Sequence, residues 1–99
     1  MSAGWVGILS AELHFPEAHS LKEKRMYLRS AKEQLRNRFG AAVAEVDHHE
    51  AWQRARITAA LVTRQYGEAE RLLADAERYL ASREWELGRL DRDIITLED

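Results

Sequence analysis

The stretch Ser20-Leu21-Lys22-Glu23-Lys24-Arg25-Met26-Tyr27-Leu28-Arg29-Ser30-Ala31-Lys32-Glu33-Gln34-Leu35-Arg36-Asn37-Arg38-Phe39-Gly40 carries a start signal, a periodic face and a stop signal for one helix. Ser20-Leu21-Lys22-Glu23 has the capping-box form, in which the Ser20 hydroxyl accepts from the Glu23 N–H while the Glu23 carboxylate reaches back. Leu21, Leu28, Ala31, Leu35 and Phe39 fall on one helical face. Gly40 is the left-handed position that ends the helix. The spacing predicts a helix over 20–39.

Strand patterns lie on both sides of it. In residues 5–15, Leu9, Ala11, Leu13 and Phe15 recur at period two, as in a half-buried strand. Pro16-Glu17-Ala18-His19 is the connecting loop. Residues 42–49 read as a strand with imperfect alternation, and residues 54–63 as a better one, with Ala55, Ile57, Ala59 and Leu61 on one face. Glu50-Ala51-Trp52-Gln53 would join them as a hairpin loop. Ala69, Leu72, Leu73, Ala76 and Leu80 mark a second amphipathic helix over about 66–82. Residues 85–96 form a last strand in which Gly88 marks a bulge.

The order is βαββαβ. Each strand–helix–strand half packs its helix on one face of a shared sheet through a right-handed crossover. The expected fold is a ferredoxin-like α+β sandwich, with four antiparallel strands in the order 4-1-3-2 and both helices on one face. Residues 1–99 make a single domain, since 99 residues at 45% hydrophobic supply one core and no second.

This architecture leaves the other sheet face without cover from the chain. Its central strands would show Val6, Ile8, Ser10, Glu12 and His14 beside Arg56, Thr58, Ala60 and Val62. The portion made by Val6, Ile8, Ala60 and Val62 is too apolar for a comfortable solvent face, so a second copy or another partner is expected over part of it. Scattered surface aliphatics are the plainer account.

Composition narrows the function classes. There is no Cys, which excludes a disulfide framework and a Cys-based zinc site. The formal charge is −2, so the chain is not basic in bulk and any nucleic-acid role must come from local charge. Trp5 to Leu9 is too short for a signal-peptide core or a membrane span, and the cytoplasm is the expected compartment. Arg outnumbers Lys twelve to three, a bias that a GC-rich or a heat-adapted genome would each produce.

Two runs stand out: His19-Ser20-Leu21-Lys22-Glu23-Lys24-Arg25 and, following Ala44-Glu45-Val46, His49-Glu50-Ala51-Trp52-Gln53-Arg54. With these runs the chain resembles the YlxP-like family, a bacterial domain of unknown function, over essentially its whole length. The resemblance implies a ferredoxin-like sandwich. It also implies a translation-related role by association, because genes of that family commonly lie beside those for translation initiation and ribosome maturation factors. It brings no catalytic residues.

Lys22, Arg25, Arg29, Lys32 and Arg36 share one strip of the first helix, centred roughly 90° from the Leu21/Leu28/Leu35 stripe. Segment 20–39 holds seven basic and two acidic residues, a local +5. Such a strip can follow a phosphate backbone, with Lys24, Arg38 and Arg54 adjacent. It can equally be a solvated face neutralised by Glu17, Glu23, Glu33 and the acidic tail. Residues 84–99 carry six acidic and two basic residues, a local −4, and could pair with the helix within one chain or between two copies.

Trp52 at a loop tip can stack on an unpaired base, with Gln53 and Arg54 reading its edge. Large aromatics more often fold back over a neighbouring core, and Trp52 is expected to do so. His48 and His49, adjacent on a strand, would face opposite ways; His14, His19 and Glu17 are a conceivable but unsupported ligand set, with no established metal-binding spacing. G-x-S-x-G, the P-loop and G-x-G-x-x-G are all absent. An acylphosphatase-type site would need a glycine-bearing loop after the first strand, where this chain has Pro16-Glu17-Ala18-His19. The expectation is a non-enzymatic protein without cofactor. It would bind RNA or a ribosomal particle through Lys22, Lys24, Arg25, Arg29, Lys32, Arg36, Arg38, Trp52, Gln53 and Arg54. The alternative is a protein–protein module or homo-oligomer using Val6, Ile8, Ala60 and Val62.

Overall fold

The computed structural model describes residues 3–97. Six elements follow in order: β1 (Trp5–His14), α1 (Leu21–Phe39), β2 (Ala42–Asp47), β3 (Arg54–Thr63), α2 (Tyr66–Ala81) and β4 (Glu86–Ile95). The strands make one sheet in the order β2-β3-β1-β4, with neighbours antiparallel. This is the expected order read from the opposite edge, and the fold is the ferredoxin-like α+β sandwich.

β1 and β3 pair without interruption from Trp5↔Thr63 to His14↔Arg54. Alternate residues Leu9, Ala11 and Leu13 of β1 and Ala55, Ile57, Ala59 and Leu61 of β3 are buried beneath the helices. α1 contributes Leu28, Ala31 and Leu35 to this core, and α2 contributes Leu73, Ala76 and Leu80. Gly7 lets α2 lie close to the sheet. A Cβ there would stand 3.1 Å from Leu61 Cδ1 and 3.2 Å from Leu73. Phe15, Tyr79 and Trp85 close one end as a ring cluster, with Trp85 edge-on to both at 6.1 and 6.3 Å. The Trp85 indole N–H donates to the Leu80 carbonyl at 2.9 Å, so the ring belongs to the turn before β4.

The boundaries of α1 follow its sequence signals. Ser20 is the N-cap, and its hydroxyl accepts from Glu23 N–H at 3.1 Å. The Glu23 carboxylate reaches back one residue further than the simplest box, accepting from His19 N–H at 3.3 Å. Gly40 has φ 66°, and its N–H closes on the Arg36 carbonyl.

Two strands differ from expectation. β2 ends at Asp47, because Val46 is an extra residue between the pairs Glu45↔Ile57 and Asp47↔Arg56, and His48 then turns the chain at φ 65°. That bulge explains the imperfect alternation, and it moves His48 and His49 off the strand into the turn. In β4 the register slips opposite Glu12, where Gly88 and Arg89 stand between Leu87↔Leu13 and Leu90↔Ala11. The bulge expected at Gly88 is therefore present.

The face away from the helices divides in two. At one end Glu12 meets Arg56 at 3.1 Å, Arg56 meets Asp91 at 3.3 Å, and the His48 ring meets Glu12 at 3.3 Å. Ser10 and Thr58 share a hydrogen bond at 3.0 Å in the next row. At the other end the cross-strand polar pairs stop, with the exposed Asp93 opposite Ile8 as the charged residue among apolar neighbours. Val62 is 75% exposed and Ile95 48%, beside the partly exposed Val6, Ile8 and Ala60.

Candidate nucleic-acid interface

α1 lies over the β2 side of the sheet and buries positions 24, 28, 31 and 35. That buried line fixes which flank faces solvent. Lys22, Arg25, Arg29 and Arg36 are exposed and Lys32 is partly so. None of the five takes part in an ion pair among the described residues. The one bond made by this group runs from the Arg36 guanidinium to the Val43 carbonyl at 3.4 Å, across to the edge strand.

The described part of the acidic tail does not neutralise the strip within one chain. Asp91 is held by Arg56 and by Arg89, and Glu86 by the His14 ring at 2.7 Å. These acids lie on β4, at the sheet edge opposite β2, so pairing within one chain is excluded for the described part of the tail. Glu98 and Asp99 of that tail lie outside the described residues.

Three expected contact residues have other occupations. Lys24 is 1% exposed. Its ammonium donates to the His48 carbonyl at 2.6 Å and stands 3.0 Å from a carboxylate oxygen of Glu45, which is itself only 16% exposed. Lys24 ties α1 to β2 and to the turn beyond it, and it cannot reach a phosphate. The helical period carries the signal for this, since 24 precedes Leu28 by one turn on the apolar face. Arg38 sits on the other flank, its guanidinium 5.8 Å from the Phe39 ring centre and 5.2 Å from that of Tyr79. Burial raises the Tyr79 phenol above its ordinary value, opposed by the nearby charges of Arg83 and Arg38. Gln53 is a strut. Its side-chain amide donates to the carbonyls of Pro16 and Ala18, each at 3.2 Å, and its own carbonyl accepts from Phe15 N–H at 2.8 Å.

Trp52 departs from expectation in the opposite sense. It does not fold back over a core: it is 55% exposed. It lines an open depression with His14, Glu50, Ala51, Gln53 and the exposed Arg54. The loop that carries it is braced by the Gln53 bonds, by Ala51 N–H on the His48 carbonyl at 3.1 Å, and by Lys24 on the same carbonyl.

The histidines are dispersed. His14 pairs with Glu86, the His48 ring with Glu12, and the His49 ring donates to the Glu45 carbonyl at 3.2 Å. Among the described residues no cluster of His, Asp and Glu has the geometry to hold a metal ion. No described helix is long and apolar enough to cross a membrane.

The fold and this surface define a small ferredoxin-like domain with one cationic helix flank. The chain belongs to the DUF503 family of proteins of unknown function, whose model matches residues 6–94. It is similar to the uncharacterized protein YlxP of Bacillus subtilis (strain 168), at 29% identity covering 81% of this chain and 98% of that protein. Among solved structures it is similar to the de novo designed protein Ferredog-Diesel, at 16% identity and TM-score 0.47 over 87% of this chain and 83% of that one. A Bacillus cereus crystal structure of a proposed antibiotic biosynthesis monooxygenase matches at 10% identity and TM-score 0.47, covering 98% of this chain and 95% of that one.

Proposed function

We propose that this protein is a non-enzymatic accessory factor of the cytoplasm that binds RNA, as a free strand or within a ribosomal particle, along the outer flank of α1. One observation carries the reading: Lys22, Arg25, Arg29, Lys32 and Arg36 line that flank without an ion-pair partner among the described residues. The strip runs about 21 Å along the helix axis. Cations without an ion-pair partner on a rigid element neutralise phosphates without first breaking an internal ion pair. Arg forks can each take two oxygens.

The test is co-sedimentation of the tagged protein with ribosomal particles on gradients at low and moderate salt. Binding through about four phosphates gives a logarithmic salt slope of roughly −3, so migration with a subunit or precursor should be lost on raising the salt. The triple reversal Arg25→Glu, Arg29→Glu, Lys32→Glu should stay at the top of the gradient while keeping its circular dichroism. Wild-type protein at the top of the low-salt gradient sinks the ribosomal version. Undiminished binding by the triple variant sinks the α1 surface.

A second reading uses the opposite face. The apolar end made by Val6, Ile8, Ala60, Val62 and Ile95 supports association with a second copy, and Val62 at 75% exposure is the observation that favours it. The two readings are compatible, because the helices and this apolar end lie on opposite sides of the sheet.

A further inference from the structure

We propose that the RNA held by the α1 flank is single-stranded where it leaves the N-terminal end of the helix, and that one of its bases stacks there on Trp52. This inference rests on the reading just given and adds the strandedness of the ligand.

The argument begins with an aromatic residue that is held in the open. Trp5 packs against Tyr66, and Trp85 packs against Phe15 and Tyr79. Among the described residues no ring packs on Trp52, which leaves more than half of its surface exposed. Leaving an indole in water forgoes burial worth more than that of most side chains. A loose loop could let the ring collapse onto nearby apolar surface. This loop is not loose: Gln53 is fastened to Pro16, Ala18 and Phe15, and His48 to Lys24 and Ala51. The hairpin thus presents Trp52 rather than merely failing to bury it.

The same bonds decide where the ring stands. Lys24 belongs to the first turns of α1, and its ammonium reaches the carbonyl of His48 at the start of the loop. Gln53 reaches the carbonyls of Pro16 and Ala18, just ahead of the helix. The Trp52 loop therefore adjoins the end of α1 at which Lys22 and Arg25 begin the cationic strip. The sequence offers the strip and the loop as separate candidates, and these bonds fasten the base of the loop beside the start of the strip, while the ring itself borders His14 and Arg54 at the end of the sheet. Arg54 adds a further exposed cation beside the ring, with Glu50 in the same lining and Glu86 bonded to His14 there.

A surface of this kind discriminates by strandedness. Phosphates of a duplex and of a single strand both suit the cations, but only an unpaired base offers its face to an indole. Every base has such a face, so the contact tolerates sequence.

The experiment is fluorescence anisotropy with two labelled RNAs at low salt, an adenylate strand of about 12 nucleotides and a blunt duplex of the same length. Trp52→Ala should bind the single strand about tenfold more weakly and the duplex within about twofold of wild type. Trp52→Phe, which keeps a stacking ring, should recover most of the single-strand affinity. Arg25→Glu with Arg29→Glu should weaken both. Trp52 is exposed, so its variants are expected to fold, and far-ultraviolet dichroism checks this. If Trp52→Ala binds the single strand like wild type while the charge reversal does not, the stacking inference is overturned and the α1 reading stands. If the wild type binds neither RNA, the free-strand version of the α1 reading falls and this inference with it, while the gradient experiment decides the ribosomal version separately.

Discussion

Lys24 and Arg25 are neighbours in a basic run, and about 100° of helix rotation separates a structural role from a surface role. Arg25 stands in solvent, whereas the Lys24 ammonium sits under the helix between Glu45 and the His48 carbonyl. Removing one partner of a buried ion pair costs about 3–5 kcal/mol, because the other charge stays behind without compensation. Lys24→Met keeps the stem packed and strips only the charge, so it should destabilise the fold by about 3 kcal/mol in urea denaturation. Lys24→Met with Glu45→Leu should recover most of that loss, since apolar replacement of a whole buried pair is often neutral. A single variant within about 1 kcal/mol of wild type would refute this role for Lys24. The helical period alone places residue 24 on the apolar face with Leu28, Ala31 and Leu35. It does not reveal Glu45 as the partner, because that contact depends on how β2 is bulged. The same holds for Gln53, whose acceptors Pro16 and Ala18 are more than thirty positions away.

At the scale of elements, legibility tracked how local the determining signal was. α1 was readable because its cap, its period and its stop all lie within the segment. Its two ends can be tested separately. Ser20→Ala removes the acceptor for Glu23 N–H and should cost about 1 kcal/mol. Gly40→Ala meets no atom within 4 Å, so its penalty is conformational: a Cβ in the left-handed region at φ 66° costs about 1 kcal/mol. Either change should lower the melting temperature of a domain this size by about 4–8 °C, and an unchanged transition for both would mean that α1 is held by packing alone. β2 was the least readable element. Its boundary depends on an extra residue, Val46, and on a positive φ at His48, neither of which has a distinctive residue type. β4 was readable in existence, and Gly88 marked its irregularity. There a Cβ would stand 3.3 Å from the Cβ of Glu12, so close approach of the strands favours a glycine.

At the scale of the molecule, the two helices cover one face of the sheet and leave the other to manage by itself. The charged half of that face does so with internal partners, running from His48 through Glu12 and Arg56 to Asp91. The apolar half has no such chain of partners, only the exposed Asp93 opposite Ile8, and its area limits what it can hold. Three strands about 4.8 Å apart, with about half of their ten-residue length apolar, give a patch of a few hundred Å². Stable interfaces bury about 800 Å² per partner, so a second copy seated there should form a weak dimer. Sedimentation velocity should therefore show a mass that rises with concentration over the upper micromolar range. Val62→Asp, at the most exposed residue of this patch, places a charge in the contact and should hold the protein at monomer mass throughout. RNA affinity should not change in that variant, because α1 lies on the far side of the sheet. Monomer mass for both proteins at every concentration would show that the apolar end is no self-interface. Loss of RNA affinity in Val62→Asp would show instead that the two faces are coupled through the sheet, which the rigid β1–β3 ladder from Trp5 to His14 gives no reason to expect.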